Sequence, residues 1–478
     1  MSGDYDIVIG LETHVQLKTS SKLFSGCPSG SGGEANQKTD PVILGMPGVL
    51  PTLNEGVLES AVRVGLALGC QIQMRSTFAR KHYFYPDLPK GYQITQDEFP
   101  ICLNGLVQLK EQAERTIRVK RIHLEEDAGK TVHDAGRSES RVDYNRAGTP
   151  LIEIVTEPDF HSPEEAVEYL KKLHQIVTFL DVSDGDMEAG NFRFDANISL
   201  KPAGSENLGT KTELKNMNSF RFVQRALEAE VVRQRDILDA GGHVIQETRM
   251  WNEGTGRTES MRSKESAPDY RYMPEPDLPE VLLKTDWLEK VESSQPELPD
   301  AMRERFASVY GLSEYDAEVF TASRHIAGYF ESVARETTAS SKRVASWVGS
   351  ELLGLLSKER ITLEQSPVSA EHMVELLDLI EAGTVSGKMG KDVLEKVLRG
   401  EGTPKEISER MGTQVSDPEA VRALVKQVLE RCPEQVEMYR AGKTKVLGFL
   451  MGQVMRESRG KANPEVTTRM LQEELSNE

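Results

Sequence analysis

From Phe192 to Leu200 the chain alternates without a break, with Phe192, Phe194, Ala196, Ile198 and Leu200 set against Arg193, Asp195, Asn197 and Ser199. Successive side chains leave a strand on opposite faces, so this run settles as a half-buried β-strand with one apolar and one polar face. Ile7 to Leu17 repeats the pattern. Leu11, Val15 and Leu17 face one way, and Glu12 and His14 share the other, about 6.6 Å apart at the usual strand rise. Ile122–Asp127 and Lys211–Lys215 supply further acids on or near strands. Around Arg121 the alternation becomes irregular, so it leaves open whether Glu125 or Glu126 shares the polar face.

Helices interrupt these strands at places marked by capping residues. Asn54 opens one through about Gly69, and Ser162-Pro163-Glu164-Glu165 is a capping box opening another to about Leu180. A third begins after Ser219 and stops at Gly241-Gly242. Strands Val244–Trp251 and Arg257–Arg262 flank a glycine-bearing turn and read as a hairpin. Strand and helix do not alternate strictly, which argues against a parallel doubly wound sheet and for an α+β domain built on antiparallel sheet.

A chain of 478 residues exceeds one ordinary core. Ser293–Asp300 reads as a linker, and beyond it the pattern is helical, as in Ser341–Ser357, Ala370–Ala382 and Asp417–Arg431. Gly400-Glu401-Gly402-Thr403-Pro404 breaks the helical half again. The expected division is therefore 1–294, 295–405 and 406–478. In the last segment Arg440, Lys443, Lys445, Arg456, Arg459 and Lys461 stand against one acid, Glu457. Such a run is usually a solvated helix face, yet in a chain with a formal charge of -18 it is the best candidate for a polyanion contact.

The same charge argues against a surface coated in basic residues. The four cysteines, Cys27, Cys70, Cys102 and Cys432, are widely spaced and form no CxxC pair. Neither a disulfide framework nor a zinc ribbon is expected, and a reducing cytoplasm fits. The first residues have no basic segment followed by an apolar run, and Val62–Cys70 is too short to span a bilayer. The expectation is a cytoplasmic protein with no membrane partner.

No GxxxxGK[ST] loop or complete GxGxxG is present, so a nucleotide must be held by side chains and metal. Lys388-Met389-Gly390-Lys391 faintly resembles a class I synthetase signature loop but lacks its HIGH partner. There is no GxSxG elbow. Taken singly, each strand acid reads as a solvated residue. If the strands form one sheet, however, Glu12, His14, Glu125 or Glu126, Asp195 and Glu213 converge on a site for a hard cation such as magnesium.

Six long motifs carry a resemblance over essentially the whole chain. They are Ile9 to Val15 (IGLETHV), Tyr83 to Asp87 with Tyr92-Gln93-Ile94, His123 to Lys130 (HLEEDAGK), Asn145 to Pro158 (NRAGTPLIEIVTEP), Asp195 to Ser199 (DANIS), and Glu213 to Asn216 (ELKN). In these the chain strongly resembles the GatB/GatE family, the B-type subunits of tRNA-dependent amidotransferases. The resemblance implies a cradle domain distantly similar to glutamine synthetase, then a helical domain and a YqeY-type tail. It implies that ATP phosphorylates the side-chain carboxyl of Glu or Asp misacylated onto tRNA(Gln) or tRNA(Asn), and that ammonia then displaces the phosphate. The implied partners are an amidase-type A subunit that supplies ammonia from glutamine, a small C subunit, and tRNA rather than DNA.

By the same resemblance Glu12, His14, Glu126, Asp195 and Glu213 hold Mg2+, with Glu125 as the alternative to Glu126. Asp195, Glu213 and Lys215 serve the nucleotide, and Lys81 stands near the ammonia exit or the acyl phosphate. Some members carry four zinc-binding cysteines early in the cradle. Here only Cys27 remains, so no structural zinc is expected and packing must hold that loop. An archaeal-type relative acting on Glu-tRNA alone normally carries a large insertion that this chain lacks. A tRNA-binding module without catalysis would leave the cradle acids idle.

Overall fold

The computed structural model describes residues 4–30, 32–110, 115–133, 139–263, 270–411, 418–458 and 462–476. They fall into two compact units that divide between Leu298 and Pro299.

The first unit is organised by one twelve-stranded sheet. In chain order its strands are β1 (Tyr5–Gln16), β2 (Gln71–Ile72), β3 (Ala79–His82), β4 (Tyr92–Thr95), β5 (Cys102–Leu109), β6 (Arg115–Glu126), β7 (Pro150–Thr156), β8 (Phe192–Pro202), β9 (Thr212–Lys215), β10 (Glu247–Asn252), β11 (Arg257–Ser263) and β12 (Met273–Pro274). The spatial order is β11-β10-β9-β8-β1-β7-β6-β4-β3-β12, with β5 also on β6 and β2 on β5. β1 therefore lies in the middle, antiparallel to both β7 and β8.

The expectation of antiparallel pairing holds with one departure. β9 and β10 run parallel, because the helix between them, α3 (Phe220–Asp239), returns the chain in the same direction, as any parallel connection requires.

The alternation does the work expected of it. Ile9, Leu11 and Val15 of β1, Ile152 and Ile154 of β7, and Phe194, Ala196 and Ile198 of β8 are buried in one core with residues of α1 (Glu55–Ala67), α2 (Pro163–Phe179) and α3. Burying each of the Ile, Leu, Val and Phe side chains among these contributes about 1.5–3 kcal/mol, so a one-residue slip of β1 would forfeit several of them at once. The three helices start at the capping residues read from sequence: the side chains of Asn54, Ser162 and Ser219 accept from the backbone N–H of Gly56, Glu165 and Phe222.

Cys27 packs with Ile43, Ala147 and Tyr144. Lys22, wholly buried, donates to the carbonyls of Ala147 at 2.5 Å and Lys38 at 2.6 Å, so a buried ammonium as well as packing ties this loop.

The second unit is helical. Ser341–Ala345, Ser346–Leu352 and Leu353–Glu359 form one run whose middle turn widens into a π-helix, a local irregularity that periodicity does not reveal. Val421, Val425, Val428, Leu450, Val454, Met470, Leu471 and Leu475 form a core of their own toward the end of the chain. Arg440, Lys443, Lys445 and Arg456 are exposed, whereas Arg459 and Lys461 lie outside the described residues. Among the described residues no helix is long and apolar enough to cross a membrane.

Candidate functional site

Register places the polar residues of the central strands in rows across the sheet face opposite the helices. On β1 and β7, His14 lies opposite Glu153, and Glu153 lies opposite His123 of β6. On the other side, β8 sets Asp195 opposite Glu12 and Arg193 opposite His14, and Asn197 lies opposite Glu213 of β9.

Two groups result. In the first, His14 Nε2 is 3.4 Å from Glu125 Oε1 and 3.4 Å from Glu153 Oε2, while His123 Nε2 is 3.2 Å from Glu153. In the second, Lys215 bonds Asp195 and lies 3.1 Å from Glu213, which also accepts from Thr248 Oγ1 at 2.6 Å. Glu12 stands between them, accepting from Asn197 Nδ2 at 3.1 Å.

The charges follow from these neighbours. Burial opposes the charge on His14, but the hydrogen bond to Glu153 and the charges of Glu125 and Glu153 outweigh it and push its pKa up to about 9. Burial would raise Glu153, yet the two histidines hold its carboxyl well below the usual range. Glu12 is raised, by burial first and then by Glu153, Asp195 and Glu213. Lys215, despite burial, is pushed up to about 12 by Asp195 and Glu213.

Lys81 is also raised against its burial, chiefly by Glu125. Its ammonium lies 4.8 Å from the centre of the Tyr270 ring and 5.9 Å from that of Tyr83.

Glu125 and Glu126, which alternation could not separate, go to different places. Glu125 meets His14. Glu126 is buried elsewhere, bonded by Lys90 and by the Ile94 N–H at 2.9 Å. The irregularity has a visible cause: Arg121 pairs with Val155 while Val119 pairs with Thr156, leaving Lys120 as an extra residue in a β-bulge.

Glu153 and His123 are absent from the set read by sequence. The available signal was the lone carboxylate among Leu151, Ile152, Ile154 and Val155, since a buried acid needs partners. Asp127 is a third omission: buried, it accepts from Gln16 Nε2 at 2.8 Å and Arg193 at 3.1 Å, and so braces the far end of the His14 row.

His14, Glu125 and Glu153 each offer a ligand atom within 4.8 Å of the others. Two carboxylate oxygens and one imidazole suit a hard or borderline divalent cation, with coordination positions left for water or substrate oxygens.

Both parts of the chain match known proteins. A model of the GatB/GatE catalytic domain matches residues 7–289, and a GatB domain model matches 328–475. The chain is 52% identical over 477 residues to the B subunit of the aspartyl/glutamyl-tRNA(Asn/Gln) amidotransferase of Geotalea uraniireducens, covering 99% of each. It is 50% identical over 475 residues to the protein of that name in Alkalilimnicola ehrlichii and 49% identical over 474 residues to the one in Caldanaerobacter subterraneus, again covering 99% of each chain. A catalytic-domain match spanning nearly all of the twelve-stranded sheet, joined to full-length identity of this order, establishes that the chain belongs to the GatB/GatE family.

Proposed function

We propose that this chain is the B subunit of a glutamine-dependent tRNA amidotransferase and carries its carboxylate-activating site. The observation that supports the reading best is the meeting of His14, Glu125 and Glu153 beside Glu12, on a sheet face whose next row is Asp195, Lys215 and Glu213.

The reaction joins two steps. A side-chain carboxylate oxygen of Glu or Asp esterified to tRNA(Gln) or tRNA(Asn) attacks the γ-phosphorus of ATP, and ADP leaves. Ammonia then attacks the acyl carbon, loses a proton, and expels inorganic phosphate to leave the amide.

His14, Glu125 and Glu153 would hold Mg2+, which when bound would screen the phosphates against the substrate carboxylate. Lys81, kept charged by Glu125, neutralises negative charge that develops on the reacting oxygens. Glu12, with its proton affinity raised by burial, accepts the proton that ammonia sheds. Lys215 holds Asp195 and Glu213 apart from mutual repulsion and orients them toward the nucleotide.

No nucleophile for glutamine hydrolysis is needed here, because ammonia comes from an amidase-type A subunit joined by a small C subunit in the cytoplasm. The helical second unit contributes to tRNA capture. The test is ATP hydrolysis and amide formation by the assembled complex. Both must depend on misacylated tRNA, on magnesium and on Glu125; a Glu125→Ala complex that amidates at the wild-type rate removes the site from this role.

A further inference from the structure

Two stretches far apart in the chain, 80–85 and 270–274, interleave basic and aromatic residues. Arg80, Lys81, His82 and Arg271 stand among Tyr83, Phe84, Tyr85, Tyr270 and Tyr272, and neither stretch holds a carboxylate, in a chain whose net charge is -18. Pairing brings the two together. β12 runs antiparallel to β3 with Met273 opposite Arg80, and the His82 N–H donates to the Tyr270 carbonyl at 2.8 Å. The four tyrosine rings then form one row, with centres 6.1 Å apart from Tyr85 to Tyr83, 6.1 Å from Tyr83 to Tyr270 and 6.2 Å from Tyr270 to Tyr272.

The middle of this row lies against Lys81, which joins no ion pair among the described residues and meets the rings of Tyr270 and Tyr83 instead. Burial and then the charge of Glu125 hold the Tyr83 hydroxyl above its usual range, so the row begins at the acid site. Its two ends are open: Tyr85 is 59% exposed and Tyr272 44%, with Phe84 beside them at 84%. None of the four hydroxyls bonds another described residue, whereas that of Tyr144 nearby donates to the Pro86 carbonyl at 2.9 Å.

A contiguous aromatic surface of this kind marks a binding face, and its charge selects the occupant. An apolar protein face seated on the row would bury the Lys81 ammonium without a carboxylate, which is costly. A single-stranded nucleic acid brings flat bases to the rings and phosphates to the cations. Arg80 is already held by Glu275 and Asp277, which leaves Lys81 and the exposed Arg271 as the cations of the row.

Resting on the proposed activation chemistry, we propose that the unpaired nucleotides at the acceptor end of the tRNA stack on the tyrosine row from Tyr85 to Tyr272, with Arg271 meeting their phosphates. One ribose and one amino-acid side chain separate the terminal base from the reacting carboxylate. Stacking the base on the row therefore fixes where the ester ends, and delivers the carboxylate to Lys81 and Glu125.

The experiment uses the complete A, B and C complex without ATP and a misacylated tRNA whose 3′-terminal adenine is replaced by 2-aminopurine, a base whose fluorescence is quenched by stacking. Wild type, Tyr85→Leu, Tyr272→Leu, the double variant and Tyr272→Phe are compared, and steady-state KM and kcat are measured with unmodified misacylated tRNA. Wild type and Tyr272→Phe should quench the probe. The double variant should leave it near the brightness of free tRNA and raise KM for tRNA about tenfold, as expected for loss of base stacking, with kcat changing less and KM for ATP staying within twofold. Tyr85 and Tyr272 are exposed, so the variants should keep the wild-type melting temperature.

Quenching and KM unchanged in the double variant, or a wild-type complex that forms amide without quenching, overturns the assignment while leaving the activation chemistry standing. Loss of the A or C subunit from the double variant on size-exclusion chromatography makes the row a subunit interface and overturns it as well. A wild-type complex that quenches the probe but forms no amide removes the activation chemistry and keeps the row as a nucleic-acid contact.

Discussion

Glu153 Oε2 lies 3.4 Å from His14 Nε2, and this contact joins two strands whose sequences lie far apart in the chain. It makes Glu153 a member of the site rather than a neighbour of it. Replacing Glu153 with Gln should keep the strand and its packing, because the change is isosteric. Amidation by the assembled complex should fall by about 10- to 100-fold or more, as when a ligand or its orienting partner is lost. Initial rates at saturating ATP and tRNA check this, and a rate within twofold of wild type would contradict it.

A pH dependence follows from the same pair. The folded pKa of His14 is raised to about 9 from an unfolded value of about 6.5. Its contribution to stability is therefore fully present below pH about 6.5 and is lost as pH rises through about 9. In the metal-free protein the imidazole should remain protonated at neutral pH, and magnesium should displace that proton. Histidine proton shifts followed by NMR, and proton release on adding magnesium at pH 7.5, test both parts. Titration near 6.5 without release would contradict them.

Glu125 and Glu126 should give opposite phenotypes. Glu125→Gln should remove activity with only a modest fall in melting temperature, because the amide keeps the side chain's shape and Glu153 still pairs with His14. Glu126→Ala strips the buried Lys90 ammonium of its carboxylate and the Ile94 N–H of its acceptor. Breaking a buried pair of this kind costs about 3–5 kcal/mol, so this variant should unfold at markedly lower denaturant. Denaturant midpoints for the two purified proteins decide it, and equal midpoints would mean that Glu126 is not structurally committed.

Removing residues 418–478 deletes a helical cluster with its own buried core and the exposed Arg440, Lys443, Lys445 and Arg456. tRNA affinity should fall, and the dependence of log K on log salt should become shallower by roughly one unit for each lost phosphate contact. Filter binding across a salt series measures this. Identical slopes would place the tRNA contacts elsewhere.

Much of the sheet was legible because alternation is a local property. Phe192 to Leu200 and Ile7 to Leu17 declare their faces without reference to any partner, and Asn54, Ser162 and Ser219 declare helix starts in the same way. What was not legible depends on pairing. Glu153 becomes a site residue only because β7 lies between β1 and β6, a fact of register that no window of sequence contains. Glu125 and Glu126 could not be told apart because the Lys120 bulge resets the alternation just before them. The parallel pairing of β9 with β10 and the π turn at Ser346–Leu352 arise from tertiary constraint, which local periodicity does not record.

The central place of β1 has a consequence in time. Of the twelve sheet strands it is the earliest in the chain, yet its partners are Pro150–Thr156 and Phe192–Pro202. With ribosomes adding about 5–20 residues per second, Tyr5–Gln16 waits many seconds with both hydrogen-bonding edges open. During that interval Ile9, Leu11 and Val15 have no partner strands, and nascent chains arrested before residue 150 should be the ones that chaperones hold and proteases find.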